Sequence, residues 1–158
     1  MLRRTLFALA PAIALLYWAV PAQALIRPQK GMAGVRLDMT QAQMRSVLGD
    51  PTSVKQGFND FGSYTQFLYP HRITVTFQGN QHVTGISTKG HSERTARGVG
   101  VGSTENDVVS KVTHARCDTI ASVRTCHVGN FRPGSRVTVF LMSKHGHVST
   151  VTVGFVVD

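Results

Sequence analysis

Seven histidines, two cysteines and a scatter of serines are the side chains of this 158-residue sequence that could do chemistry. His145 and His147 flank Gly146, and with His82 or His127 nearby they could hold a metal ion. Their spacing matches no zinc signature, and two histidines around a turn glycine suit an ordinary surface loop, so no metal site is expected. Cys117 with a histidine could act as a thiol nucleophile. Cys126 lies so close to it that, in an oxidising compartment, a disulfide consumes the thiol instead. That bond closes a loop of about ten residues and contributes roughly 2–3 kcal/mol by chain entropy. Ser63 and Ser103 neighbour glycines, but neither stands in a Gly-x-Ser-x-Gly elbow. "GVGVGS", from Gly98, precedes a predicted helix but lacks the lysine of a phosphate loop. The eight acids are spread along the chain with no paired-carboxylate pattern. No converging catalytic set is visible, so the expectation is a non-enzyme without a cofactor.

The elements that would position these residues start after a leader. Arg3 and Arg4 precede the apolar run "TLFALAPAIALLYWAV", and "AQA" at 22–24 is a small-residue cleavage site. This pattern predicts a signal peptide over 1–24 and an exported chain beyond it. The formal net charge is +9. The basic residues are scattered, with no run of five or six, which argues against a nucleic-acid tail. Such a balance suits an acidic protein partner or an anionic surface.

Two segments say nearly the same thing. "GVRLDMTQAQMRSVLGDP" from Gly34 returns as "GVGVGSTENDVVSKVTHA" from Gly98. "RITVTF" from Arg72 returns as "RVTVFL" from Arg136, and "HVTGI" from His82 as "HVSTV" from His147. Three matches in order predict a duplicated unit. In each, a threonine (Thr40, Thr104) caps a short helix, with Gln43 or Asp107 three residues on to complete a capping box. Ala42, Met44, Val47 and Leu48 form the expected apolar face of the first helix; Val108, Val109 and Val112 form that of the second. Gly49 and Pro51 end the first helix. The period then changes to alternation, predicting strands over 64–69, 72–78, 82–88, 122–128, 136–142 and 147–157. The fold class expected is α+β: two tandem repeats, 25–90 and 91–158, each a short helical segment packed on an antiparallel β-sheet with one open face. The second repeat carries the disulfide.

"GVRLDMTQAQMRSVLGDP", "FGSYTQFLY" and "ITVTFQGNQHVTGI" resemble the SmpA/OmlA family, small lipoprotein subunits of the machinery that assembles outer-membrane β-barrels. The tandem arrangement in an exported chain is similar to the β-lactamase inhibitory proteins, which grip an enzyme with the concave surface of two helix-and-sheet repeats. No cysteine lies near Ala24 to carry a lipid, and only the second unit has a cysteine pair, where each inhibitor repeat carries one. The inhibitory loop of that type presents an acid flanked by aromatics. In "GFNDFGSY" the resemblance places Asp60 in that role, with Phe58, Phe61 and Tyr64 beside it.

Phe131 and Arg132, in "GNFRPGS", add the residue types that dominate protein-binding hot spots. Two functions therefore compete. One is an exported, non-catalytic protein-binding module, inhibitor-like, that docks an acidic partner through Phe58, Asp60, Phe61, Tyr64, Phe131 and Arg132. The other is an envelope scaffold that meets anionic lipid or wall polymer through Arg72, Arg94, Arg97 and Arg136.

Overall fold

The computed structural model describes residues 25–157. The expected signal peptide and its cleavage site lie outside the described residues. No helix among the described residues is long and apolar enough to cross a membrane.

The chain opens with three two-residue strands, β1 (Leu25–Ile26), β2 (Gly31–Met32) and β3 (Val35–Arg36), followed by helix α1 (Gln41–Leu48). Then come β4 (Ser53–Asn59), β5 (Gly62–Tyr69), β6 (Ile73–Gln78), β7 (Gly85–Thr88) and the short β8 (Arg94–Thr95). Helix α2 (Glu105–Lys111) leads into β9 (Arg116–Ile120), β10 (Val123–Val128), β11 (Arg136–Met142) and β12 (Val148–Phe155).

Both helices begin where their capping residues dictate. The Thr40 hydroxyl accepts from the Gln43 amide and the Gln43 side chain accepts from the Thr40 amide; Thr104 and Asp107 do the same for α2. The apolar faces are narrower than the sequence pattern predicts. Met44 is buried, but Val47 is 44% exposed and Ala42 is also exposed. In α2, Val108 and Val112 are buried while Val109 points outward.

Two separate helix-on-sheet repeats are not what the chain forms. Strands β7 and β12 pair antiparallel, with Ile86 opposite Val153. This joins everything into one eight-stranded antiparallel sheet, in the order β4-β5-β6-β7-β12-β11-β10-β9. With helices of only 8 and 7 residues, the molecule is mostly β rather than α+β. The cause is the cost of a free strand edge, whose N–H and C=O groups lack partners. Pairing β7 with β12 removes two such edges at once, a gain that no reading of one segment by itself can register.

The core lies on one side of this sheet. Phe67, Val75, Ile86, Phe140, Val151 and Val153 face it, meeting Met44 and Val108 from the helices and Ile26, Met32 and Val35 from the first segment. That segment is tied across the chain by the Gln29 amide, which donates to the Thr138 hydroxyl at 2.7 Å. The opposite side carries Gln66, Thr74, Thr76, Ser87 and Thr152, each only half-buried. This alternation is what a sheet with one solvated side requires.

Candidate protein-docking surface

All neighbours in the eight-stranded sheet are antiparallel, so alternate strands in its order run the same way. β4 and β10 are two of these. The β4–β5 turn and the β10–β11 loop, which follow them, therefore lie at the same end of the sheet. They are not close together: β5 and β10 are five strand spacings apart, ~24 Å at the usual inter-strand distance. The expected site thus divides, with Phe58, Asp60, Phe61 and Tyr64 near one edge and Phe131 and Arg132 near the other.

At the first edge only Asp60 and Phe61 occupy the turn itself. Tyr64 belongs to β5, in line with the strand expected from residue 64, whereas Phe58, expected in the loop, belongs to β4. Phe58 stands opposite Ser63 in the ladder, so these two share a face and Tyr64 takes the other. Phe58 is 81% exposed and Phe61 48%. Tyr64 is half-buried, its ring lying across Gly57; a Cβ at that glycine would sit 2.5 Å from the Tyr64 hydroxyl. The four residues therefore do not form one aromatic-flanked acid.

The turn is held from outside itself. The Asn59 side-chain oxygen accepts from the Phe61 amide at 3.0 Å. Gln78, on β6, shares its side-chain N–H groups among Asn59 Oδ1, the Phe61 carbonyl at 3.0 Å and the Ser63 carbonyl at 3.1 Å. Gly62, at φ 101°, supplies the left-handed residue that closes the hairpin. Phe58 on β4 and Phe61 in the turn are thus both left exposed at a corner whose turn is fixed by side chains from two strands. Sequence reasoning missed Gln78, because it acts across two strands and has no local signature.

At the second edge the Phe131 ring meets the His127 ring, with centroids 4.8 Å apart. Phe131 is 47% exposed and Arg132 is exposed beside it. His127 Nδ1 is buried without a hydrogen-bond partner, and Asp118 Oδ2 is 3.9 Å away. Phe131 therefore divides its surface between solvent and this imidazole.

The remaining chemistry is accounted for structurally. Cys117 and Cys126 are joined in a disulfide across β9 and β10. Among the described residues one group could assemble three metal-type ligands, Glu105 with Cys117 and Cys126, and the bonded sulfurs are not available to it. His82 and His147 lie in turns at opposite ends of the sheet, so the histidines do not converge. Arg94 is spent on the His91 and Gly98 carbonyls and on Ser103. Arg136 pairs with Asp38 at 2.7 Å and lies over the Phe155 ring. Two of the four arginines expected to form a cationic surface thus secure the fold.

The Arg124 guanidinium, paired with Glu105, holds that carboxyl below its usual range. Asp107, which accepts from Lys111 and from Thr104, is held well below the ordinary carboxylate range. Burial pushes the Tyr69 phenol up.

No family model matches the chain, and no curated protein matches it. Two solved structures are similar in shape. One is an extracellular protein containing an SCP domain from Bacillus anthracis str. Ames, with a TM-score of 0.52 at 9% identity over 75% of this chain. The match takes in 44% of that protein, so the chain spans less than half its length. The other is a DUF4309 family protein from Bacillus subtilis subsp. subtilis str. 168, with a TM-score of 0.43 at 11% identity, covering 84% of this chain and 88% of that one. The first likeness concerns the fold alone.

Proposed function

We propose that this chain is an exported, non-catalytic protein-binding module whose principal contact is the β4–β5 hairpin. The observation that carries the reading is Phe58, 81% exposed on a hairpin whose turn is fixed by Gln78. A phenylalanine this exposed gains little from folding, whereas phenylalanine is among the residue types enriched at protein interfaces. Strand β4 is also one of the two edge strands of the eight-stranded sheet, so its backbone can pair with an incoming strand. The excess of basic over acidic residues, which persists beyond the leader, favours an acidic partner by steering its approach. Export is supported by the leader pattern, by the disulfide, and by the extracellular character of the SCP-domain protein with a related fold. The resemblance to inhibitory proteins fits the same reading, with Phe58 and Phe61 rather than Asp60 as the central residues. The scaffold alternative is weaker, because Arg94 and Arg136 are already engaged within the fold.

The test is affinity capture from the exported fraction, with captured proteins identified by mass, at low and at high salt. Wild type is compared with the double variant Phe58→Ala, Phe61→Ala and with Phe131→Ala. Proteins held by wild type at high salt and lost by the double variant support the hairpin. The same set retained by all three chains overturns it.

A further inference from the structure

A cleft with a volume of about 780 Å³ lies away from that hairpin, on the core side of the sheet. It opens where β1 pairs in parallel with β8, Ile26 opposite Thr95, beside the last turn of α2. Its floor is apolar: Ile26, Val112 and Val128 are buried there, and Leu25 is half-buried at the mouth. Its rim is cationic, carrying Arg27, Lys30, Arg97 and Lys111, and no acid among the described residues lines it.

The helix end accounts for only part of this charge. Lys111 suits the carbonyl end of α2 and is also paired with Asp107 at 2.6 Å. Arg27, Lys30 and Arg97 come from two other segments and form no ion pair among the described residues. Like charges converging without a counter-ion repel, and a ligand of opposite sign relieves that cost. The walls are pre-formed. The Lys30 amide donates to the Arg27 carbonyl at 3.0 Å and the Gly98 amide to the Thr95 carbonyl at 2.8 Å, which closes both turns that carry the arginines.

We propose that this cleft binds an amphiphilic anion, a carboxylate head on an unbranched apolar tail. The tail lies over Ile26, Val112 and Val128, and the head meets Arg27 and Arg97. An apolar floor with a few convergent polar groups, within the range of several hundred to about 1,000 Å³, is the usual form of a small-ligand site. The ligand uses neither Phe58 nor Phe61, so this site stands or falls independently of the docking hairpin.

The probe is decanoate, held below its micellar range, with decanol and acetate as controls. Binding is read by calorimetry and by amide shifts in the protein as purified from the full chain. Decanoate is expected to bind at least tenfold more tightly than either control. It should shift amides at 26, 27, 29, 30, 95–97 and 111–114, and weaken at least fivefold in the double variant Arg27→Gln, Arg97→Gln. Both arginines are on the exposed rim, and the variant's unperturbed amides elsewhere verify its fold. Decanol binding as tightly as decanoate, acetate binding as tightly, or shifts confined to other surfaces would each overturn the proposal.

Discussion

The side-chain amides of Asn59 and Gln78 exchange two hydrogen bonds, each 3.2 Å, across the end of the sheet. Through that pair a residue of β6 sets the shape of the β4–β5 turn. Gln78→Ala removes both bonds and those to the Phe61 and Ser63 carbonyls. The groups are exposed, so water replaces the partners and the stability cost is about 1 kcal/mol. Hydrogen exchange at residues 60–63 should accelerate while the rest of the sheet stays protected. Partner affinity should fall with the lost pre-organisation, although no contacting side chain has changed.

Phe58 and Phe61 separate binding from folding. Their truncation to alanine should leave the denaturation midpoint within about 0.5 kcal/mol of wild type, because exposed side chains contribute little to the core. Partner affinity should fall at least tenfold, the equivalent of about 1.4 kcal/mol. A large drop in stability instead would show that both rings pack in the folded state.

The Cys117–Cys126 bond joins the edge strand β9 to β10. Replacing both cysteines with alanine should cost about 2–3 kcal/mol, as expected for so short a loop. Reductant should shift the wild-type urea midpoint towards that of the variant and leave the variant unmoved.

Glu105 provides a test on the acid side. Its folded pKa lies below the unfolded value, because Arg124 stabilises the charged form. The associated stability is therefore complete above the unfolded pKa and is lost as pH falls through the folded one. Glu105→Gln should be less stable than wild type at neutral pH, and the two should converge as the pH falls below the folded pKa. The pair is partly exposed, so added salt should narrow the difference at neutral pH.

Tyr69 behaves in the opposite sense. Its hydroxyl donates to the Gly49 carbonyl at 3.0 Å, and burial raises its pKa. The neutral phenol is favoured in the fold, so that contribution is complete below the unfolded pKa and is lost as pH rises through the folded one. Tyr69→Phe should cost about 0.5–1.5 kcal/mol at neutral pH and blunt the alkaline fall in stability. Stability curves measured between pH 8 and 11 would check both expectations.

Several features of the chain were decided by the sequence alone, because each rests on residues a few positions apart. Thr40 with Gln43 and Thr104 with Asp107 start the helices through side chains that reach only to the next turn. The inner strands show themselves by alternation: Ile73, Val75 and Phe77 are buried while Thr74, Thr76 and Gln78 are not. The two cysteines, nine positions apart in a chain expected to be exported, predict the disulfide that joins them.

Strands β4 and β9 carry no such signal. Every β4 residue except Gly57 is exposed, and all of β9 is exposed except Cys117. At the edge of a sheet neither face is fully covered, so no hydrophobic period is imposed on the strand. The union of β7 with β12, the placing of Phe58 and Tyr64 on opposite faces, the strand widths between Phe61 and Phe131, and the cleft that gathers Arg27 with Arg97 were decided only by the tertiary structure. All of these depend on which distant strand edges satisfy one another's hydrogen bonds. That choice is made by the whole sheet at once, and no segment of the chain carries it.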